Sequence, residues 1–210
     1  MNDKAHWENV YAAKTANEVS WFQEYPKTAV DYIEALALPK TAKIVDVGGG
    51  DSNLAASLLE LGYNNIWVVD ISTTALEKAK IQLGKKAASI HWIVSDITEW
   101  ETDLQFDFWY DRAVFHFLTD SVAIQKYIAL VNKAIVHGGN FLLGTFSAIG
   151  PLKCSGLEIK QYSEETMRKT FLPNFEAVQC FTENHTTPFN TVQHFQFCGF
   201  KKLVSTENFF

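Results

Sequence analysis

Short apolar runs and helix-spaced apolar positions alternate through the first two-thirds of the chain. "YPKTAVDYIEALALP" places Val30, Ile33, Leu36 and Leu38 near helical spacing, with Pro39 as its stop. The apolar run Ile44–Val47 follows, then three glycines, then the helical pattern "NLAASLLELG" closed by Gly62. "NIWVVD" (65–70) reads as a second strand, and "STTALEKAKIQLG" as a helix capped by Ser72 or Thr73 and stopped at Gly84. "SIHWIVSD" (89–96), "FDFWYDRAV" (106–114) and "NFLLGTF" (140–146) supply three more strands. Between the last two, "SVAIQKYIALVNKAIVHGG" reads as one helix running to Gly138-Gly139. Alternation of this kind predicts right-handed βαβ units.

The pattern changes after Phe146. Residues 147–162 read as a long loop, "SEETMRKTFLP" as a short helix, and "FEAVQCFTEN" and "TVQHFQFCGFKK" as two period-2 strands joined across a turn at 184–191. The predicted fold is therefore α/β and Rossmann-like: a mostly parallel sheet with helices on both faces and a C-terminal antiparallel hairpin. The pattern shows no linker, so 1–210 is expected to be a single domain.

Composition narrows the function classes. The chain has 210 residues, 18 basic and 24 acidic, for a formal net charge of −6. That balance disfavours a nucleic-acid partner held by general phosphate attraction. There is no run of about 18 apolar residues, so no membrane span is expected, and the polar N-terminus predicts a cytoplasmic protein. The three cysteines, Cys154, Cys180 and Cys198, form no CxxC pair. Reduced thiols and no metal site are the expectation.

The glycines mark the candidate site. A loop between a first buried strand and a helix lies at the carboxyl edge of an open α/β sheet, where ligands bind. A dinucleotide fingerprint from Gly48 would need a glycine at 53, where Asn53 stands, and no P-loop lysine follows. Asp46 precedes Gly48, Gly49 and Gly50; a carboxylate there suits an ammonium better than a pyrophosphate. Asp70 at the tip of the second strand is placed for ribose hydroxyls, and Asp96 at the third for an exocyclic amine. Together these describe a ligand with an amino group, a ribose and an adenine.

These motifs resemble the class I S-adenosylmethionine-dependent methyltransferases. "VDVGGGDS" is similar to their first motif, "VVDIS" to the second and "VSDIT" to the third, with Ser52 where a further glycine often stands. The resemblance implies seven strands and S-adenosyl-L-methionine as cofactor. It implies a cofactor set of Asp46, Gly48, Gly49, Gly50, Ser52, Asn53, Asp70, Ile71, Ser72, Asp96 and Ile97. The N-terminal "HWENVYAAKTANEVSWF" resembles the segment that folds over the cofactor in the lysine methyltransferases of elongation factor and citrate synthase. That places residues 1–40, with Trp7, Tyr11, Trp21 and Phe22, over the cofactor; packing of an amphipathic helix on the domain is the other reading.

At the fourth strand end, "YDRAVFHFL", Asp111 could hold the methionyl amine or pair with Arg112, which joins the cofactor set. His116 is a candidate general base, with a structural buried histidine as the alternative, and Tyr11 is a second catalytic candidate. Loops 147–162 and 184–191, with Cys154 and His185, are the expected acceptor walls. The acceptor is a small molecule or a protein lysine, and monomer and homodimer both stay open. An NAD-dependent oxidoreductase, disfavoured by Asn53, and a non-catalytic cofactor-binding protein are the competing classes.

Overall fold

A computed structural model describes residues 4–203; residues 1–3 and 204–210 of the expected domain lie outside the described residues. The four-residue strand β1 (Ile44–Val47) is buried on both faces, as its unbroken "IVDV" requires in a parallel sheet. It pairs in parallel with β2 (Ile66–Asp70) and with β4 (Phe106–Arg112). β3 (Ile90–Val94) flanks β2, and β5 (Ile135–Phe146) flanks β4, again in parallel. The short strands β6 (Lys153–Cys154) and β7 (Leu157–Glu158) form a separate two-stranded sheet. β8 (Phe175–Thr186) and β9 (Val192–Lys202) close the main sheet as an antiparallel pair, in the order β3-β2-β1-β4-β5-β9-β8. The expected seven-stranded, mostly parallel sheet with its C-terminal hairpin is what the chain forms.

Among the described residues six α-helices accompany the sheet: α1 (Lys4–Ala13), α2 (Lys27–Ala35), α3 (Leu54–Glu60), α4 (Thr73–Leu83), α5 (Ser121–Ala134) and α6 (Glu164–Phe171). Strand parity sorts side chains between two cores. Val45, Val47, Val69 and Trp109 pack with Ile124 and Tyr127 of α5 and Met167 and Phe171 of α6. Ile44, Val68, Phe108 and Tyr110 pack with Val30 and Ile33 of α2, Leu54 and Leu58 of α3 and Leu76 of α4. Helices thus cover both faces, and the site lies at the carboxyl end of the strands, drawing on both, with Val47 and Val69 from one and Asp46 and Tyr110 from the other.

Three expectations are corrected. The helix read through to Gly139 ends at Ala134, because Ile135 is already extended and opens β5. A buried apolar run fits either period, so "KAIV" gave no boundary. The 147–162 segment is not a bare loop, since it holds the β6–β7 hairpin. The thiols are not all reduced: Cys180 and Cys198 are register partners across β8 and β9, 4.1 Å apart at Cα, and form a disulfide, while Cys154 is free and buried. Cysteine spacing carries no information about strand register. Among the described residues no helix is long and apolar enough to cross a membrane.

Candidate active site

The ends of β1 and β2 and the turn after β3 open into one cavity. Asp46, Gly48, Gly49, Ser52, Asn53, Asp70 and Ile71 line it from the first two motifs, Asp96 and Ile97 from the third. Asp46 is buried, and burial, with repulsion from Asp70 and Asp111, pushes its carboxyl up to about 7 against a hydrogen bond from Ser52 Oγ at 3.2 Å. Burial likewise lifts Asp70 to about 7, although its Oδ1 accepts from Ser72 N–H at 2.8 Å. Burial raises Asp51 as well. Among the described residues neither Asp46 nor Asp70 has an ion-pair partner. Two buried carboxylates without cations are costly to ionise unless a cationic ligand joins them.

The glycines fit close neighbours as well as a ligand. Gly48 has φ +66, and a Cβ there would stand 2.0 Å from Val114 Cγ2. Gly50 has φ +45, and a Cβ would stand 2.6 Å from the Tyr11 hydroxyl. Gly50 turns its N–H to Asp70 and is not a cavity wall. Ser72 is another departure from the expected set. It is fully buried, caps α4 by accepting from Ala75 N–H at 3.1 Å, and does not line the cavity. Asn53, where a dinucleotide loop needs glycine, spends both ends of its amide on protein. Its Nδ2 donates to the carbonyls of Gln23 and Glu24 at 3.0 and 3.1 Å, and its Oδ1 accepts from Gln82 at 3.0 Å. Asp96 lines the wall with Oδ1 accepting from Thr98 N–H and Oγ1 at 2.9 and 2.8 Å.

The N-terminal segment is a wall of the same cavity. Trp7, Tyr11, Trp21 and Phe22 all line it, and Trp7 packs edge-on to Trp21 and Phe117 with centroids 5.8 and 5.2 Å apart. Glu8 fixes this segment. Its carboxylate accepts from Thr73 N–H at 2.7 Å, Thr74 N–H at 3.0 Å and Ser72 Oγ at 3.1 Å, and so caps α4 from another helix. Those bonds pull its carboxyl down to about 2. Lys78 of α4 returns the contact by donating to the carbonyls of Tyr11 and Lys14. Neither Glu8 nor Lys78 was marked by the sequence pattern, because each acts on a helix more than 60 residues away. Burial, with Asp70 and Asp51, holds the Tyr11 phenol well above its usual range, so it keeps its proton and is not a base.

The far end of the cavity is formed by Tyr110, Arg112, Val114, Phe117, Leu118 and Cys154. Tyr110 and Arg112 share the parity of Asp46's partner face, and Asp111 points the other way. Asp111 is fully buried beside α5, where it accepts from Tyr127 Oη at 2.6 Å, Val114 N–H at 2.9 Å and Phe115 N–H at 3.2 Å. It forms no ion pair with Arg112 and does not line the cavity in this structure. His116 is also fully buried off the cavity, and its Nδ1 accepts from Phe146 N–H at 3.4 Å. Burial, with Arg112 nearby, pushes it down to about 3, so it is neutral near pH 7 and a poor base. Cys154 brings the 147–162 segment to the wall with its thiol pushed up to about 12 by burial. His185 lies in β8 and donates to the Ser20 carbonyl at 2.8 Å, and no residue of 184–191 lines the cavity.

Comparison with known proteins agrees with this geometry. The methyltransferase domain family matches residues 44–139, from β1 into β5. The mouse "eEF1A lysine and N-terminal methyltransferase" is 22% identical over 92% of this chain, which spans only 30% of that relative. The zebrafish "EEF1A lysine methyltransferase 2" is 25% identical over 85% of this chain and 77% of its own length. A solved structure of an S-adenosylmethionine-dependent methyltransferase from Anabaena variabilis superposes with a TM-score of 0.73 at 15% identity, covering 96% of both chains.

Proposed function

We infer that this chain, whose residues 44–139 match the methyltransferase domain family, transfers a methyl group from S-adenosylmethionine by in-line displacement to a small molecule that enters at the far end of the cavity. One observation carries the reading: Asp46 and Asp70 are buried in one cavity wall with no cationic partner among the described residues. That donor set fits S-adenosylmethionine, which brings an ammonium, a ribose and, on its sulfonium, an activated methyl. Asp46 takes the ammonium, Asp70 the ribose hydroxyls, and Asp96 with Ile97 the adenine. Ser52 Oγ holds the Asp46 carboxylate in place, and Trp7, Tyr11, Trp21 and Phe22 exclude water from above.

Bound there, S-adenosylmethionine would supply the sulfonium methyl, and the acceptor's lone pair would bond to its carbon as the carbon–sulfur bond broke and sulfur took the electron pair. Positioning supplies much of the rate in such a step. With Asp46 and Asp70 taken up by the cofactor, Tyr11 and Cys154 protonated and His116 off the cavity, none of these five groups serves the acceptor as a base. The accepting atom therefore arrives with its lone pair free, as a thiolate or a deprotonated heteroatom does. The two named relatives favour a second reading, a protein lysine as acceptor. A cytoplasmic setting goes with either reading, although a Cys180–Cys198 bridge is uncommon there.

Calorimetric titration with S-adenosylhomocysteine and NAD tests the cofactor, and tritiated-methyl transfer to a metabolite fraction and a protein fraction tests the acceptor. Micromolar binding of S-adenosylhomocysteine without NAD binding, and label in the metabolite fraction, is the expected result. Binding of NAD alone refutes the assignment.

A further inference from the structure

The cavity wall carries several carboxylates, Asp46, Asp51, Asp70, Asp96 and Asp120, and a single guanidinium, Arg112, among the described residues. The Arg112 guanidinium lies over the Phe195 ring, 4.5 Å from its centroid, and its Nη1 donates to the Trp21 carbonyl at 3.0 Å. Nε and Nη2 are closed off from solvent and have no hydrogen-bond partner. Among the described residues Arg112 enters no ion pair, and the nearby Glu183 carboxylate accepts instead from Thr28 Oγ1. The two idle donors are not a random pair. Nε–H and Nη2–H form the side-on edge of the guanidinium, two parallel donors spaced to match the two oxygens of a carboxylate. A buried cation with that edge empty is expensive to keep, and an anion seated on it offsets the cost.

We propose that the methyl acceptor is a small molecule bearing a carboxylate, and that the Nε–Nη2 edge of Arg112 seats that carboxylate. The inference rests on the methyltransferase reading above and names the substrate class for the same cavity. Two alternatives are weaker. The cofactor's own carboxylate is one, but the guanidinium lies over Phe195 of β9, on the other side of β4 from Asp46 of β1 and Asp70 of β2. A lysine ammonium is the other, and an unpaired guanidinium on the wall repels it. The Trp21 carbonyl, the guanidinium's one hydrogen-bond partner among the described residues, belongs to the covering segment. Its displacement lets the acceptor in, and its return keeps the seat dry.

The test compares benzoate, benzamide and benzylamine, three ligands with one ring and three charges, binding to the full chain saturated with S-adenosylhomocysteine. The expected result is benzoate about tenfold or more tighter than benzamide, the scale of a bidentate charged contact, with benzylamine weakest. In Arg112→Met that preference falls to within about twofold, while Arg112→Lys keeps part of it and S-adenosylhomocysteine affinity is held in both. Benzoate no tighter than benzamide in the wild-type chain overturns the proposal without any variant. It is also overturned if Arg112→Met weakens S-adenosylhomocysteine but not 5′-methylthioadenosine, which lacks the amino-acid end. That outcome would give Arg112 to the cofactor. A wild-type chain that binds neither nucleoside would refute the methyltransferase reading itself, a result distinguishable from both.

Discussion

Raising the pH from 6 to 8 should tighten S-adenosylhomocysteine binding, and the size of the effect follows from Asp46 and Asp70. In the free chain burial holds each carboxyl at about 7, and the bound ligand requires both ionised forms, Asp46 facing its ammonium and Asp70 accepting from both ribose hydroxyls. The apparent dissociation constant then carries a factor of one plus the ratio of protonated to ionised carboxyl. For a group titrating near 7 that factor is roughly 11 at pH 6 and roughly 1.1 at pH 8, so each carboxylate contributes about tenfold and the pair about a hundredfold. Calorimetry at pH 7 in two buffers of different ionisation enthalpy should show about half a proton released per carboxylate. Asp46→Asn should halve the pH slope on a logarithmic scale and weaken binding at pH 8 by about 10- to 100-fold, the worth of a charge-assisted hydrogen bond. The same groups act on stability with the opposite sense. A carboxyl raised in the folded state gives stability that is full below about 4 and lost as the pH rises through 7, up to about 4 kcal/mol each, so the ligand-free chain should melt lower at pH 8 than at pH 5. Affinity that is flat from pH 6 to 8 with no proton release, or that weakens as pH rises, refutes the reasoning.

Glu8→Ala removes the acceptor of three donors at the start of α4 and should cost about 1 kcal/mol of stability. It should also weaken S-adenosylhomocysteine about tenfold, with faster hydrogen exchange across α1; unchanged exchange would mean that the aromatic contacts alone hold the segment. Gly50→Ala should abolish detectable S-adenosylhomocysteine binding, because its Cβ meets the Tyr11 hydroxyl at 2.6 Å on a φ of +45, and wild-type affinity in the variant would remove the Tyr11–Gly50 contact from the argument. Asp111→Ala leaves the Tyr127 O–H and the amides of Val114 and Phe115 without an acceptor and should cost about 2 to 4 kcal/mol in urea unfolding. Its S-adenosylhomocysteine affinity should stay within threefold; a larger loss would return Asp111 to the cofactor site.

The parts of the site that the sequence displayed are those carried by covalent neighbourhood. Asp46 and Asp70 end apolar runs, Gly48 and Gly50 follow one of them, and a strand tip followed by a helix can only sit at the carboxyl edge of the sheet. What stayed hidden depends on facing and on register. "FDFWYDR" is apolar on both faces, so it shows no alternation, and nothing in it says that Arg112 turns to the cavity and Asp111 to α5. Parity could have shown it, because Asp46 pairs with Tyr110 across the sheet and Arg112 is two residues on. Glu8 capping α4 and Cys180 facing Cys198 arise from contacts between distant elements. A capping acid sits by rule beside its own helix, so the sequence pattern holds no sign of one borrowed from α1.

The glycine loop joins these parts physically. Gly48 leaves room for Val114 at the acceptor end, and Gly50 leaves room for Tyr11 in the covering segment. Between them Gly49 lies against the Asp46 carboxylate, where a Cβ would stand 2.8 Å from Oδ2. A methyl group at any of the three would therefore push on a different part of the site. The covering segment has the same double attachment: Glu8 binds it to α4 beside Asp70, while Trp21 and Ser20 bind it to Arg112 and His185 on the acceptor side. A ligand that draws on Asp70 and an acceptor that displaces the Trp21 carbonyl thus act on one piece of chain. Cofactor and acceptor affinities should be coupled through it, and reciprocally, since a coupling free energy belongs to both ligands alike.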